Sequence, residues 1–87
     1  METLAAATRI LVDLRKIREQ HPTNLPATPA MLWERAVHRA ARSAAFRLLS
    51  KRGLIENAYP NSNGPKLWRA TDKAMALRDG EEFSAIA

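Results

Sequence analysis

Between Thr28 and Gly53 the chain carries Arg35, Arg39, Arg42, Arg47, Lys51 and Arg52 against a single acid, Glu34, and no further acid follows until Glu56. The rest of the sequence mixes its signs, so the net charge of +5 resides, in effect, on this one stretch. Five of the six cations in this stretch are arginine (Arg35, Arg39, Arg42, Arg47 and Arg52), and His38 lies among them. A planar guanidinium fork suits bidentate contact with phosphate and with guanine edges better than a lysine ammonium does. Advanced at a helical step, Arg39, Arg42, Ser43, Arg47 and Ser50 are expected on one face, opposite Ala41, Ala44, Leu48 and Leu49. A face that only keeps a protein soluble normally intersperses Glu or Asp with its cations. This one does not, and the chemistry it offers is the binding of a polyanion.

Catalysis has no comparable claim. The chain has no Cys, no Gly-rich phosphate loop, no HExxH and no Ser/His/Asp set. His21 and His38 stand apart from one another and from paired carboxylates, whereas a metal site needs three or four convergent ligands. Both read as surface or turn residues, with His38 able to donate to a phosphate. The expectation is a binding protein, not an enzyme, with no metal and no cofactor.

The elements that must position the basic stretch are read from periodicity and punctuation. Glu2 to Gln20 has the three- and four-residue apolar steps of a helix (Leu4, Ala7, Leu11, Leu14, widened by Ile10 and Ile17). Asp13 and Lys16 are placed to pair across one turn. His21-Pro22 ends the helix, since a residue before proline leaves the helical region. A proline-rich connector follows, with Leu25 expected in the core. Thr28-Pro29 reads as a helix start, Thr as N-cap and Pro at the first position. From there two readings stay open. One is a single helix to Arg52, with Ala30, Trp33, Val37, Ala41, Ala44 and Leu48 as its stripe. The other breaks at Val37-His38-Arg39 into a short helix, a turn and a second helix from about Ala40 to Arg52. Gly53 is the stop in both.

Beyond Gly53 the segments Leu54–Tyr59 and Lys66–Ala70 flank the turn Pro60-Asn-Ser-Asn-Gly-Pro65 and read as a β-hairpin. Thr71 caps a last helix, Asp72 to about Arg78, stopped by Asp79-Gly80. The order is therefore α-α-α-β-β-α, mostly α with a small β-hairpin, in one domain over residues 1–80 with a tail at 81–87. Phe46 falls beside Arg42 and Ser50 yet is expected in the core, and Trp33 and Trp68 are expected to pack. Phe83 and Ile86 in the tail dock either on the body or on a partner chain.

Size and composition narrow the setting. A chain of 87 residues has room for one domain and buries only roughly 60–65% of its unfolded surface, so dimerisation would help it. Helix 1 and the tail are the expected dimer surface. The absence of Cys fits a reducing, cytoplasmic compartment. No apolar run is long enough to span a bilayer, and the first residues lack a cationic leader pattern. Attachment to a membrane surface is disfavoured, because the apolar side of the basic stretch is mostly Ala.

Two stretches carry a family resemblance. Arg47-Leu48-Leu49-Ser50-Lys51-Arg52-Gly53-Leu54-Ile55-Glu56 resembles the end of a recognition helix entering a first wing strand. Leu67-Trp68-Arg69-Ala70-Thr71-Asp72-Lys73 resembles the return strand entering the next helix. Together they make residues 28–77 similar to the winged helix-turn-helix family of bacterial transcription regulators. The family usually has Gly or another small residue in its turn, where this chain has Val37-His38-Arg39. The resemblance implies that Ala40 to Arg52 lies in the major groove of double-stranded DNA and that Asn61, Ser62, Asn63 and Lys66 form a wing on the backbone or minor groove. Phosphate anchors would then be Arg35, Arg47 and Lys66, with Arg39, Arg42 and Ser43 reading bases and His38, Asn63 and Arg69 adding contacts. A nucleoid-associated homodimer is the corresponding expectation. The alternatives from other classes are a protein–protein adaptor that applies the basic helix to an acidic partner, and an RNA-binding module.

Overall fold

A computed structural model describes residues 2–21, 27–61 and 63–87. Leu25 and Ser62, given roles above, lie outside the described residues. The order of elements is α1 (Glu2–Gln20), β1 (Thr28–Pro29), a 3-10 turn (Ala30–Trp33), α2 (Arg39–Lys51), β2 (Ile55–Asn57), β3 (Leu67–Ala70), α3 (Asp72–Met75) and α4 (Glu82–Ile86). Among the described residues this is a small α/β domain of four α-helices and a three-stranded antiparallel sheet, 33 × 30 × 22 Å across.

The α1 helix forms where its apolar steps predict it, and buries Ala6, Ala7, Ile10, Leu11 and Leu14 on one side. Asp13 does not serve the expected pairing with Lys16. Its Oδ2 accepts the indole N–H of Trp33 at 2.8 Å, which fixes the 3-10 turn against α1.

The first correction falls at Thr28-Pro29. These residues do not cap a helix; they are extended and pair with β3, Thr28 opposite Trp68 and Pro29 opposite Leu67. The cause is local as well as tertiary. A residue before proline is pushed towards extended backbone, and Pro29 itself sits at φ −74° and ψ 151°. The helix expected over Thr28–Val37 shrinks to the four-residue 3-10 turn, which has no side-chain cap.

The basic stretch is broken, as the second of the two open readings has it. His38 leaves the helical region at ψ 141°, and its Nδ1 accepts the N–H of Ala40 at 3.3 Å. An imidazole thus does the capping that Ser, Thr, Asp or Asn more often does. The bend lets Trp33 and Val37 both enter the core, 1% and 7% exposed. At the other end Gly53, at φ +72°, closes α2. Its N–H reaches Ser50 O and the N–H of Leu54 reaches Leu49 O, each at 3.0 Å, the paired bonds of a Schellman stop. Leu54 and Ile55 are thereby turned into the core at the start of β2.

The hairpin forms as expected, with Ile55 opposite Ala70, Glu56 opposite Arg69 and Asn57 opposite Trp68. The sheet order is β1-β3-β2, so the return strand is central and β1 is a third strand that the α-α-α-β-β-α order lacks. Thr71 caps α3 by accepting from Ala74 N at 3.3 Å. That helix ends at Met75, well short of Arg78.

Within the expected tail of residues 81–87, Glu82–Ile86 form α4, packed against α1. Ile86 is buried there at 1% exposure, and Phe83 stays 53% exposed. Glu82 is buried with its carboxylate on the guanidinium of Arg15, which also donates to Leu77 O. Arg15 Nε is buried with no hydrogen-bond partner among the described residues. Phe46 lies at the centre of the fold, edge-on to Trp33 (centroids 5.6 Å) and stacked on Trp68 (5.2 Å). This bears out its assignment to the core, with both tryptophans packing on it.

Candidate functional site

The sequence of α2 alternates so that one side is spent on the core and the other is left in solvent. Ala41, Ala45, Phe46 and Leu49 are buried, while Arg39, Ala40, Ser43, Arg47, Ser50 and Lys51 are exposed. The outward face has three cations and no acid. Arg35 is exposed in the turn before it, and Lys66 is exposed on the approach to β3.

Arg42 does not belong with this face. Seven residues of helix bring Arg42 to within about 20° of Leu49, so it stands at the edge of the core and not opposite it. It is half-buried, and its guanidinium donates to Val37 O at 3.4 Å, across the bend. Arg69, also placed in the interface by the sequence, is half-buried and donates through Nε to Glu56 Oε1 at 2.8 Å on the neighbouring strand. Its charge is spent on holding the hairpin in register. His38 is exposed, with Nδ1 committed to the cap, so a neutral ring carries its proton on Nε2. Asn63 is exposed in the hairpin turn.

What the fold brings together is a groove of about 560 Å³ between α2 on one side and β1, the 3-10 turn and β3 on the other. Pro29, Met31, Phe46, Pro65 and Trp68 make its apolar lining, and Ser43, Arg47, Ser50 and Lys66 its polar one; no acid lines it among the described residues. Lys66 Nζ lies 5.9 Å from the centroid of the Trp68 ring, an arrangement that favours a cation. The groove therefore joins two residues expected to anchor phosphates, Arg47 and Lys66, from elements far apart in the chain.

Sequence reasoning missed Met31, which is 72% exposed at the groove. A helical reading of residues 29–37 gave it no role. The 3-10 turn is what puts it there, and no periodicity announces four residues of 3-10 helix.

Two cations of the basic stretch and its surroundings are used internally. Arg52 Nε donates to Ile86 O at 3.1 Å, tying the end of α2 to α4. Lys73 Nζ donates to Arg52 O at 2.8 Å. Arg18, on α1, donates to Ala70 O and to the carboxylate of Asp72. Among the described residues no cluster of three or more His, Cys, Asp or Glu is placed to hold a metal, and no helix is long and apolar enough to cross a membrane.

No family model matches the chain, and neither a curated protein nor a solved structure matches it.

Proposed function

We propose that the chain is a winged helix-turn-helix protein that binds double-stranded DNA in a sequence-dependent way, as a regulator of transcription in the cytoplasm, associated with the nucleoid. The observation that carries this reading is the acid-free outward face of α2 together with Lys66 across the groove. The order helix, strand, turn, helix, strand, strand and the sheet order β1-β3-β2 support it, since they set a hairpin beside a basic helix.

In this reading α2 enters the major groove with Arg39, Ser43 and Arg47 towards the bases. Arg35, Lys51 and Lys66 meet phosphates, and Asn63 extends the hairpin contact. Arg42 changes role from base reader to support of the bend, and Arg69 becomes a strand clamp. The dimer surface expected from helix 1 and the tail is largely consumed inside the fold, because the α1 stripe and Ile86 are buried.

A titration of duplex DNA by fluorescence anisotropy at several salt concentrations tests the proposal. Arg35, Arg39, Arg47, Lys51 and Lys66 are exposed cations without an ion pair among the described residues. If all five release a counterion, the log–log slope is about −4.5, a fall of roughly 500-fold between about 50 and 200 mM salt. Binding that is absent, or that ignores salt, overturns the reading.

A further inference from the structure

We propose that copies of this chain associate head to tail, the Phe83 end of one copy docking in the groove between α2 and β3 of the next. Cations alone at the groove would suit any polyanion. The floor, however, exposes Met31 at 72% beside the half-buried Trp68, and such a surface is best covered by an apolar side chain presented among anions.

The chain itself holds such a feature. Phe83 is 53% exposed, and Asp79 and Glu81, both exposed, precede it within one short stretch. The ring is presented on a fixed mount. Glu82 next to it is clamped by Arg15, Ile86 is sunk in the core, and Arg52 holds the Ile86 carbonyl. Little conformational freedom is lost when a side chain so held is captured. Charges complement as well: Arg47 and Lys66 line the groove, and the exposed acids Asp79 and Glu81 lead into Phe83 against the single exposed cation Arg78.

None of the groove-lining residues comes from α4, so as folded a chain does not fill its own groove with Phe83. The contact joins two different patches, which makes it heterologous. It continues from copy to copy unless the rotation closes a ring. Its electrostatic part is screened by salt over a Debye length of about 8 Å at physiological ionic strength.

Sedimentation equilibrium of the full chain, without nucleic acid, tests this independently of the DNA reading. The expected result is a weight-average mass that rises with concentration past that of a dimer and falls when salt is raised. Phe83→Ser and Met31→Asp, both at exposed positions, should each weaken self-association by more than about tenfold while circular dichroism stays unchanged. Mixed together, the two variants still share one intact contact, the Phe83 of one with the groove of the other. The mixture should therefore form a one-to-one dimer and stop there. Monomer at every concentration overturns the proposal. So does association that survives Phe83→Ser, or a mixture that fails to form the dimer.

Discussion

Replacing Gly53 by Ala isolates the energy of a single backbone turn. Gly53 sits at φ +72°, where an L-residue with a Cβ is held at a cost of roughly 1–2 kcal/mol. Space is not the obstacle. A Cβ built there would meet only the Lys73 side chain, Cδ at 3.9 Å and Nζ at 4.0 Å, which is ordinary contact. The whole penalty is therefore conformational, and Gly53→Ala should lose about 1–2 kcal/mol. In a domain of this size that corresponds to a fall in Tm of about 5–15 °C. Gly53→Asn should lose less, because Asn tolerates the left-handed region better than Ala. Urea unfolding followed by circular dichroism reads the effect as a lower midpoint with the slope unchanged. Because Gly53 does not line the groove, DNA affinity of the folded variant should equal that of the parent chain. A loss below a few tenths of a kcal/mol, or Asn as harmful as Ala, would refute the assignment of strain to this residue.

Other predictions follow from the same contacts. Phe46→Ala empties the site between Trp33 and Trp68 and should lose about 3–5 kcal/mol, measured by the same unfolding titration; a loss near 1 kcal/mol would mean the aromatic centre collapses freely. Arg15→Met strands the buried carboxylate of Glu82 and should cost about 3–5 kcal/mol, whereas Arg15→Met with Glu82→Leu should recover most of it. The double variant also removes the unpartnered Arg15 Nε. Arg39→Ala should weaken DNA binding and flatten the salt slope by about 0.9. Arg42→Ala should leave the slope unchanged and act through stability; equal effects of the two on the slope would contradict their different placement on α2.

Strong local signals made much of the architecture legible. The apolar steps of α1, Gly53 as the end of the basic helix, the turn-rich hairpin and the Thr71 cap all follow from chemistry contained within a few residues. Phe46 was readable as core because a Phe among arginines is better covered than exposed. The elements that escaped are defined by distant partners. Two residues of β1 have no period of their own and become a strand only through Trp68 and Leu67. The 3-10 turn exists because Trp33 must reach Asp13, and α4 because Ile86 and Glu82 find sites on the body. Of the proposed interface, Arg39, Arg47 and Lys66 were readable from charge pattern and Ser43 from helical spacing. Arg42 and Arg69 were not, since a guanidinium that faces a carbonyl or a strand partner looks the same in sequence as one that faces solvent. The groove itself was invisible, being built from three separate stretches.

The contacts from Trp68 through Phe46 and Trp33 to Asp13 cross every layer of the domain, from the groove to α1. Two of the residues in it, Trp33 and Trp68, are natural fluorophores in unlike surroundings. Trp33 is sealed in the core, and Trp68 is half-buried beneath the ammonium of Lys66. Emission from Trp68 thus reports what enters the groove, and emission from Trp33 reports whether the body behind it stays closed. A Trp68→Phe chain would carry only the second signal and a Trp33→Phe chain only the first, so occupancy and unfolding become separable in one cuvette without a label.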